Sequence, residues 1–419
     1  MTRPGPVLYD TGTAALVLKV GGYPLHHGGV AVIRTLGRVG VDVFGVHEGR
    51  RVPAARSAYL TGGFIWRTAG HDEHRQQLLA GMAALADRIG RPTVVIPTDD
   101  HGAMFLNEHA GALPECFLQP RLPVGRAREL VNKQRCLEVA RRVGFPVPRT
   151  TVLRVPVRAG EAAEVDLPVV VKRAERALLP DGTRSYSTVI ARTAGELRRL
   201  VEDPAEEHEV LLQEVIPGDP GDDWLYHGYF DAASSSVLSF TGRKLRSYPA
   251  YAGETAYARA ERNPALCDQV EQLLKAIGFV GVASMDLRYD RRDGTYKLLD
   301  LNPRVGACFR LFENAHGIDV VRALHLDLSG REVPRGPQRD GRTYVVESYD
   351  ARARRAYAPP AGLTLRSWLR SLRAADEHAW LASDDLVPSC VFGLRQYLYR
   401  RGAPLRPTGP RYFSGRRRV

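Results

Sequence analysis

Ser284-Met285-Asp286-Leu287 and Leu299-Asp300-Leu301-Asn302-Pro303-Arg304 read as two consecutive strands joined by a turn around Asp290 to Gly294. In a hairpin of that length Asp286 can face Asp300 across the ladder, and the strand period of two puts Asp300 and Asn302 on one face. Two carboxylates and an amide oxygen gathered there repel one another unless a cation sits among them. Hard oxygen ligands with room for phosphate oxygens suit Mg²⁺. The apolar neighbours Leu287, Leu298, Leu299 and Leu301 speak against an exposed acidic strand.

Two further features lie upstream. Lys172 ends the apolar strand Val169-Val170-Val171 and is followed by the loop Pro180-Asp181-Gly182-Thr183-Arg184-Ser185. A flexible loop with glycine and hydroxyl groups beside a lysine can close over polyphosphate; an ordinary hairpin with a solvated lysine fits the same residues. The run Gln213-Glu214-Val215-Ile216-Pro217-Gly218 closes an apolar strand and leads into the acids Asp219, Asp222 and Asp223. Such an edge can hydrogen-bond an adenine through backbone groups and leave a carboxylate for ribose hydroxyls, or it is a polar turn.

Around this centre the chain alternates strands and helices up to about residue 120: Ala14 to Val20, a helix with Val30, Ile33 and Leu36 ending at Gly40, Val41 to Val46, Tyr59 to Trp66, Glu73 to Ile89, and Thr93 to Ile96. That pattern predicts a small open α/β domain. One helix is expected over Arg126 to Val143, stopped by Gly144. Antiparallel strand signals follow, with helices near Ala194 to Val201 and Ala265 to Ile277. His26, His27 and His101 fall at strand ends where open α/β sheets bind ligands, although each reads first as a surface or structural histidine.

The chain has 419 residues and a formal net charge of +12. Beyond Pro337 sixteen arginines face seven acids, so most of the surplus sits in the last fifth. Only Lys19, Lys133, Lys172, Lys244, Lys275 and Lys297 among the 59 basic residues are lysines. The five cysteines lack C-x-x-C spacing, and no apolar run approaches the roughly 20 residues of a membrane span. A soluble, cytoplasmic protein without membrane partner is expected. The G-x-G-x-x-G spacing of a dinucleotide enzyme is absent despite Gly21-Gly22, Gly28-Gly29 and Glu48.

The order Asn132-Lys133, Lys172, Gln213 to Gly218, Asp286, then Asp300-x-Asn302-Pro303-Arg304 resembles the ATP-grasp superfamily over roughly residues 126 to 328. Gly28 to Gly37 and Thr241 to Arg246, with Pro249 and Gly253, look like the D-aspartate ligase-like group of carboxylate–amine ligases. The resemblance implies an N-terminal open α/β domain (1–125), an ATP-grasp N-lobe with a phosphate lid (126–215), a C-lobe with the metal site (216–335) and a basic C-terminal appendage (336–419).

It also implies roles. Lys133 and Lys172 would hold the phosphates of ATP under the loop around Gly182. Glu214 and Ile216, with Gln213 and Val215, would meet the adenine, and Asp222 or Asp223 the ribose. Asp286, Asp300 and Asn302 would bind Mg²⁺, and Arg304 the transferred phosphoryl group or the acyl phosphate. Where some relatives have an arginine two residues before the first metal aspartate, this chain has Ser284, which leaves Arg243, Lys244 or Arg304 to stabilise phosphate. Asp300 replaces a more frequent glutamate. By period two, Lys244 and Arg246 share a strand face and Arg243 takes the other, a basic pattern suited to an acidic substrate.

The expected function is an ADP-forming ligase that phosphorylates a small carboxylate, an amino acid being the expected class, and couples it to an amine. A homodimer is possible. The alternative is a basic-tail nucleic-acid-binding protein with a non-catalytic nucleotide-binding core, which supplies no account of Asp286, Asp300 and Asn302.

Overall fold

Three sheets organise the chain in the computed structural model, which describes residues 7–21, 25–66, 75–157, 165–174, 188–202, 208–219, 221–357, 363–400 and 411–414. In the first sheet, Leu60–Ile65, Val43–His47, Ala14–Leu18, Thr93–Pro97 and Phe117–Leu118 lie side by side in parallel. Ala14–Leu18 and Val43–His47 are buried along their whole lengths, as strands covered on both faces must be. The helix His27–Gly37 follows the first strand and is buried from His27 through Leu36, so it cannot be a surface helix. It joins this sheet to the rest: Thr35 Oγ1 donates to Asp319 Oδ2 at 2.6 Å, and Arg310 Nη1 reaches the same oxygen at 2.6 Å.

The second sheet is built on the hairpin Gly281–Asp290 and Thr295–Asn302. Asp223–Phe230, Ser236–Tyr248 and Glu254–Ala260 continue it in antiparallel order. The third sheet, Thr150–Val155, His208–Glu214, Val169–Arg173 and Thr188–Ala191, packs Val169, Val171, Val210 and Leu212 into a small core of its own. It stands opposite the second sheet, so the two form the walls of a cleft.

Two expectations change. The single helix over Arg126 to Val143 is two helices, Arg126–Val131 and Lys133–Arg142, because Asn132 is extended (ψ 116°) and its side chain caps the second by accepting from Arg135 N at 3.1 Å. The C-terminal segment, expected as an appendage, is built into the fold. Thr343–Val345 and Glu377–His378 complete the second sheet, and Arg411–Ser414 pairs with Leu60–Ile65 in the first. Asp385, 3% exposed, receives Arg34 Nε at 3.0 Å, Ser57 Oγ at 2.7 Å and Ala58 N at 2.8 Å. Arg339 and Arg342 both reach Glu313, so part of the basic surplus is consumed internally.

Candidate active site

The hairpin sets the centre of the site. Asp286 pairs with Asp300 and Ser284 with Asn302 in the antiparallel register, which puts Asp300 and Asn302 on one face. Asn302 Nδ2 lies 3.3 Å from Asp300 Oδ2, and its Oδ1 accepts from Arg304 Nη2 at 3.0 Å. Lys244 reaches across the intervening strand Asp223–Phe230 to Asp286 Oδ1 at 2.5 Å. Burial opposes its charge, but Asp286 and Asp223 outweigh that and hold it above the ordinary lysine range. Among the described residues no three His, Cys, Asp or Glu side chains cluster at metal-holding spacing. Two carboxylates and an amide oxygen, with a lysine already drawn in as counter-ion, are nevertheless a donor set that fits a hard dication.

Two hollows meet at this hairpin. The first is walled by Lys133, Val170, Lys172, Thr188 and Ile190 from one side and by Lys244, Leu287, Arg288 and Leu299 from the other, with Gln213 to Ile216 at its end. Lys172 is 7% exposed and donates to the Leu299 carbonyl at 3.2 Å. Burial lowers its pKa to about 8, against the pull of Asp300. Lys133 opens the helix capped by Asn132 and lines the same hollow.

The end of this hollow separates the two candidate ribose acids. Asp222 is consumed by its own turn, accepting from Asp219 N at 2.8 Å and from Arg291 Nη2 at 3.0 Å. Asp223 lines the hollow, and its buried Oδ1 makes no hydrogen bond; Arg288 Nη1 stands 3.6 Å away. Burial raises the Asp223 carboxyl, with Arg288 opposing. Glu214 also lines the hollow, but its carboxylate is already engaged, accepting from Arg149 N at 2.9 Å and Arg292 Nη2 at 3.0 Å. That leaves the backbone from Gln213 to Ile216 as what this strand presents.

The second hollow lies between the carboxyl ends of the first sheet's strands and the hairpin. Lys19, Gly21, His26, His27, Asp99, Asp100 and His101 line it, facing Ser284, Asp286, Asp300, Asn302 and Arg304. Arg304 Nε donates to Asp100 Oδ1 at 2.6 Å, which ties the hairpin to the helix Asp100–Glu108. Asp286, Asp300 and Glu254 belong to both hollows.

Not every expected side chain is brought here. Arg243 lies outside both linings, paired with Glu261 at 2.8 Å and stacked 4.8 Å from the Trp224 ring. Arg246 is displaced by a register shift after Lys244 and is consumed by Asp350, at 2.6 Å, and by the Tyr257 ring. Gly182 lies outside the described residues. Sequence reasoning missed Glu254, Tyr349 and Cys308 as lining residues, and only the adjacent Asp99-Asp100 at a strand end signalled the partner of Arg304.

The biotin carboxylase domain of Hydrogenobacter thermophilus 2-oxoglutarate carboxylase superposes with a TM-score of 0.56 at 14% identity, covering 80% of this chain and 74% of its own. An L-amino acid ligase from Bacillus licheniformis gives 0.54 at 16% identity, with 80% and 79% covered. N5-carboxyaminoimidazole synthetase from Staphylococcus aureus gives 0.55 at 12%, with 81% and 82% covered. The chain has the ATP-grasp fold. By sequence, the ATP-grasp chain is 25% identical to the D-aspartate ligase of Enterococcus faecium over 250 residues, 56% of this chain and 58% of that one. It is 24% identical over 216 residues to the carbamoyl phosphate synthase large chain of Methanosphaerula palustris, 47% of this chain and 19% of that one. The chain thus spans less than two thirds of these relatives. No family model matches.

Proposed function

We propose that this ATP-grasp protein is an ADP-forming ligase that couples a carboxylate to an amine. The observation that carries the reading is the Asp286–Asp300 pair at the seam of two hollows: a nucleotide in one and a carboxylate in the other would meet there. D-aspartate ligase and L-amino acid ligase among the similar proteins support the class. Residues 1–125 would serve as the N-terminal domain, 126–215 and 216–335 as the two lobes, and 336–419 as an extension that completes the fold.

In this reading the adenine lies along the Gln213–Ile216 backbone and ribose hydroxyls donate to the Asp223 carboxylate, whose Oδ1 makes no hydrogen bond. Lys133 and Lys172 hold phosphates. Asp286, Asp300 and Asn302 would hold Mg²⁺, which would neutralise phosphate charge. A carboxylate is a poor electrophile, because its charge is delocalised and an oxide leaves badly. Transfer of the γ-phosphoryl group to its oxygen gives an acyl phosphate; the amine then attacks the carbonyl carbon, phosphate leaves, and one proton is released. Such a transfer needs positioning and charge neutralisation more than covalent help, and Lys172, Lys244 and Arg304 supply cations from three directions. Incubation with ATP, Mg²⁺ and pooled amino acids tests this, with product masses read beside ADP. ADP release that requires both a carboxylate and an amine supports the reading, and ATP turnover indifferent to both refutes it.

A further inference from the structure

The C-terminal segment also reaches the second hollow. The helix Glu347–Ala353 is fixed on two sides of Tyr349. Asp350, fully buried, accepts from Arg246 Nε at 2.6 Å and from Trp368 Nε1 at 2.7 Å. Glu347 accepts from Trp380 N at 3.2 Å and Leu381 N at 2.9 Å. Between these anchors Tyr349 lines the hollow, its ring stacked on Tyr248 with centroids 6.1 Å apart and meeting the His27 edge at the same distance. His27 rests in turn against Trp380 at 5.8 Å. The next residue, Gly28, approaches so closely that an added Cβ would stand 3.2 Å from Ala307 Cα. Ala307 O accepts from Tyr344, again a C-terminal residue, at 3.3 Å. Ala307, His27 and Tyr349 therefore line the hollow together, with Gly28 packed behind them. Two basic side chains of the lining already hold acids, Lys19 with Glu48 and Arg304 with Asp100. The Tyr349 ring adds apolar and edge contact to this lining.

We infer that Tyr349 is a specificity-determining residue whose ring, held in place by the C-terminal segment, receives an aromatic or branched aliphatic group carried beside the reacting carboxylate or amine. The inference rests on the ligase reading and assigns its substrate class. An aromatic ring favours such a group by dispersion and edge contacts, and pocket discrimination of this kind is worth roughly 10- to 200-fold.

The test uses the full chain with ATP and Mg²⁺ and both enantiomers of phenylalanine, leucine, alanine and aspartate, singly and in pairs, with initial rates of ADP release. Phenylalanine or leucine is expected to be preferred. Tyr349→Ala should raise its KM at least tenfold while the KM for ATP holds, and Tyr349→Phe should restore the parent value. If Tyr349→Ala fails to fold, Tyr349→Trp, which keeps the stack and fills the hollow, should shift preference toward alanine. A parent that prefers aspartate, or variants with unchanged selectivity, would overturn the inference and leave the ligase reading standing. A parent that releases ADP with no panel member overturns the ligase reading, and this inference with it.

Discussion

Lys244 and Asp286 form a 2.5 Å ion pair between strands that are not neighbours in the sheet. The lysine spans the strand Asp223–Phe230 to reach the aspartate, and Asp300 lies directly opposite on the other side. Without a cation two facing carboxylates would repel; with Lys244 present, one of them is already neutralised and the seam of the two hollows is preorganised. Lys244→Met should therefore lower kcat by roughly 10²- to 10³-fold, the size seen when one preorganised electrostatic group is removed. Steady-state ADP release, with the melting temperature as control, measures it.

Lys172 carries a pH signature. Burial lowers its pKa to about 8, so its ammonium is increasingly lost above that pH. Nucleotide affinity should fall above pH 8, by up to about tenfold per pH unit, and Lys172→Arg should flatten the profile. The stability effect has the opposite sign. Between about 8 and the ordinary lysine value of 10.5 the unfolded chain binds more protons than the folded one, so this group makes stability rise with pH across that window. Isothermal titration with ADP over pH 7 to pH 9, beside denaturant curves, separates the two.

Gly306 lets the loop after the hairpin lie flat on the sheet. A Cβ there would stand 2.3 Å from Ser284 Oγ and 2.5 Å from His227 Cε1. His227 is fully buried, and burial lowers its pKa to about 3, so it is a neutral packing group rather than a yielding one. Gly306→Ala should cost about 1–3 kcal/mol through overpacking. Chemical denaturation of parent and variant gives the difference.

The C-terminal segment is expected to be structural. Asp385→Ala leaves the Arg34 guanidinium, 3% exposed, without its carboxylate, a loss of about 3–5 kcal/mol for a broken buried pair. A lowered denaturation midpoint would show it, whereas a dispensable tail would leave the midpoint unchanged.

Much of the site was legible because its signals are local. The hairpin needs only period two and a turn of fixed length, so Asp286, Asp300 and Asn302 could be placed from spacing alone. The helix Ala194–Val201 is announced by its Thr193 cap and Glu196 capping box. What escaped depends on distant partners. Thr343–Val345 is three residues long and is a strand only because Glu254–Ala260 offers it an edge. Arg246 left the cleft through a bulge that no pattern marks, and Arg243 found Glu261 and Trp224 behind the sheet. Tyr349 and Glu254 carry no motif at all. That Asp222 rather than Asp223 serves its own turn is decided by Arg291 and the Asp219 amide, which no local pattern marks.

A phosphoryl group that crosses from one hollow to the other onto a carboxylate oxygen leaves an isotopic trace. Once a carboxylate substrate is in hand, it can be labelled with ¹⁸O and the released phosphate examined by mass. One ¹⁸O per phosphate formed is expected, with formation abolished in Asp300→Ala; unlabelled phosphate accompanying amide product would rule out the acyl phosphate.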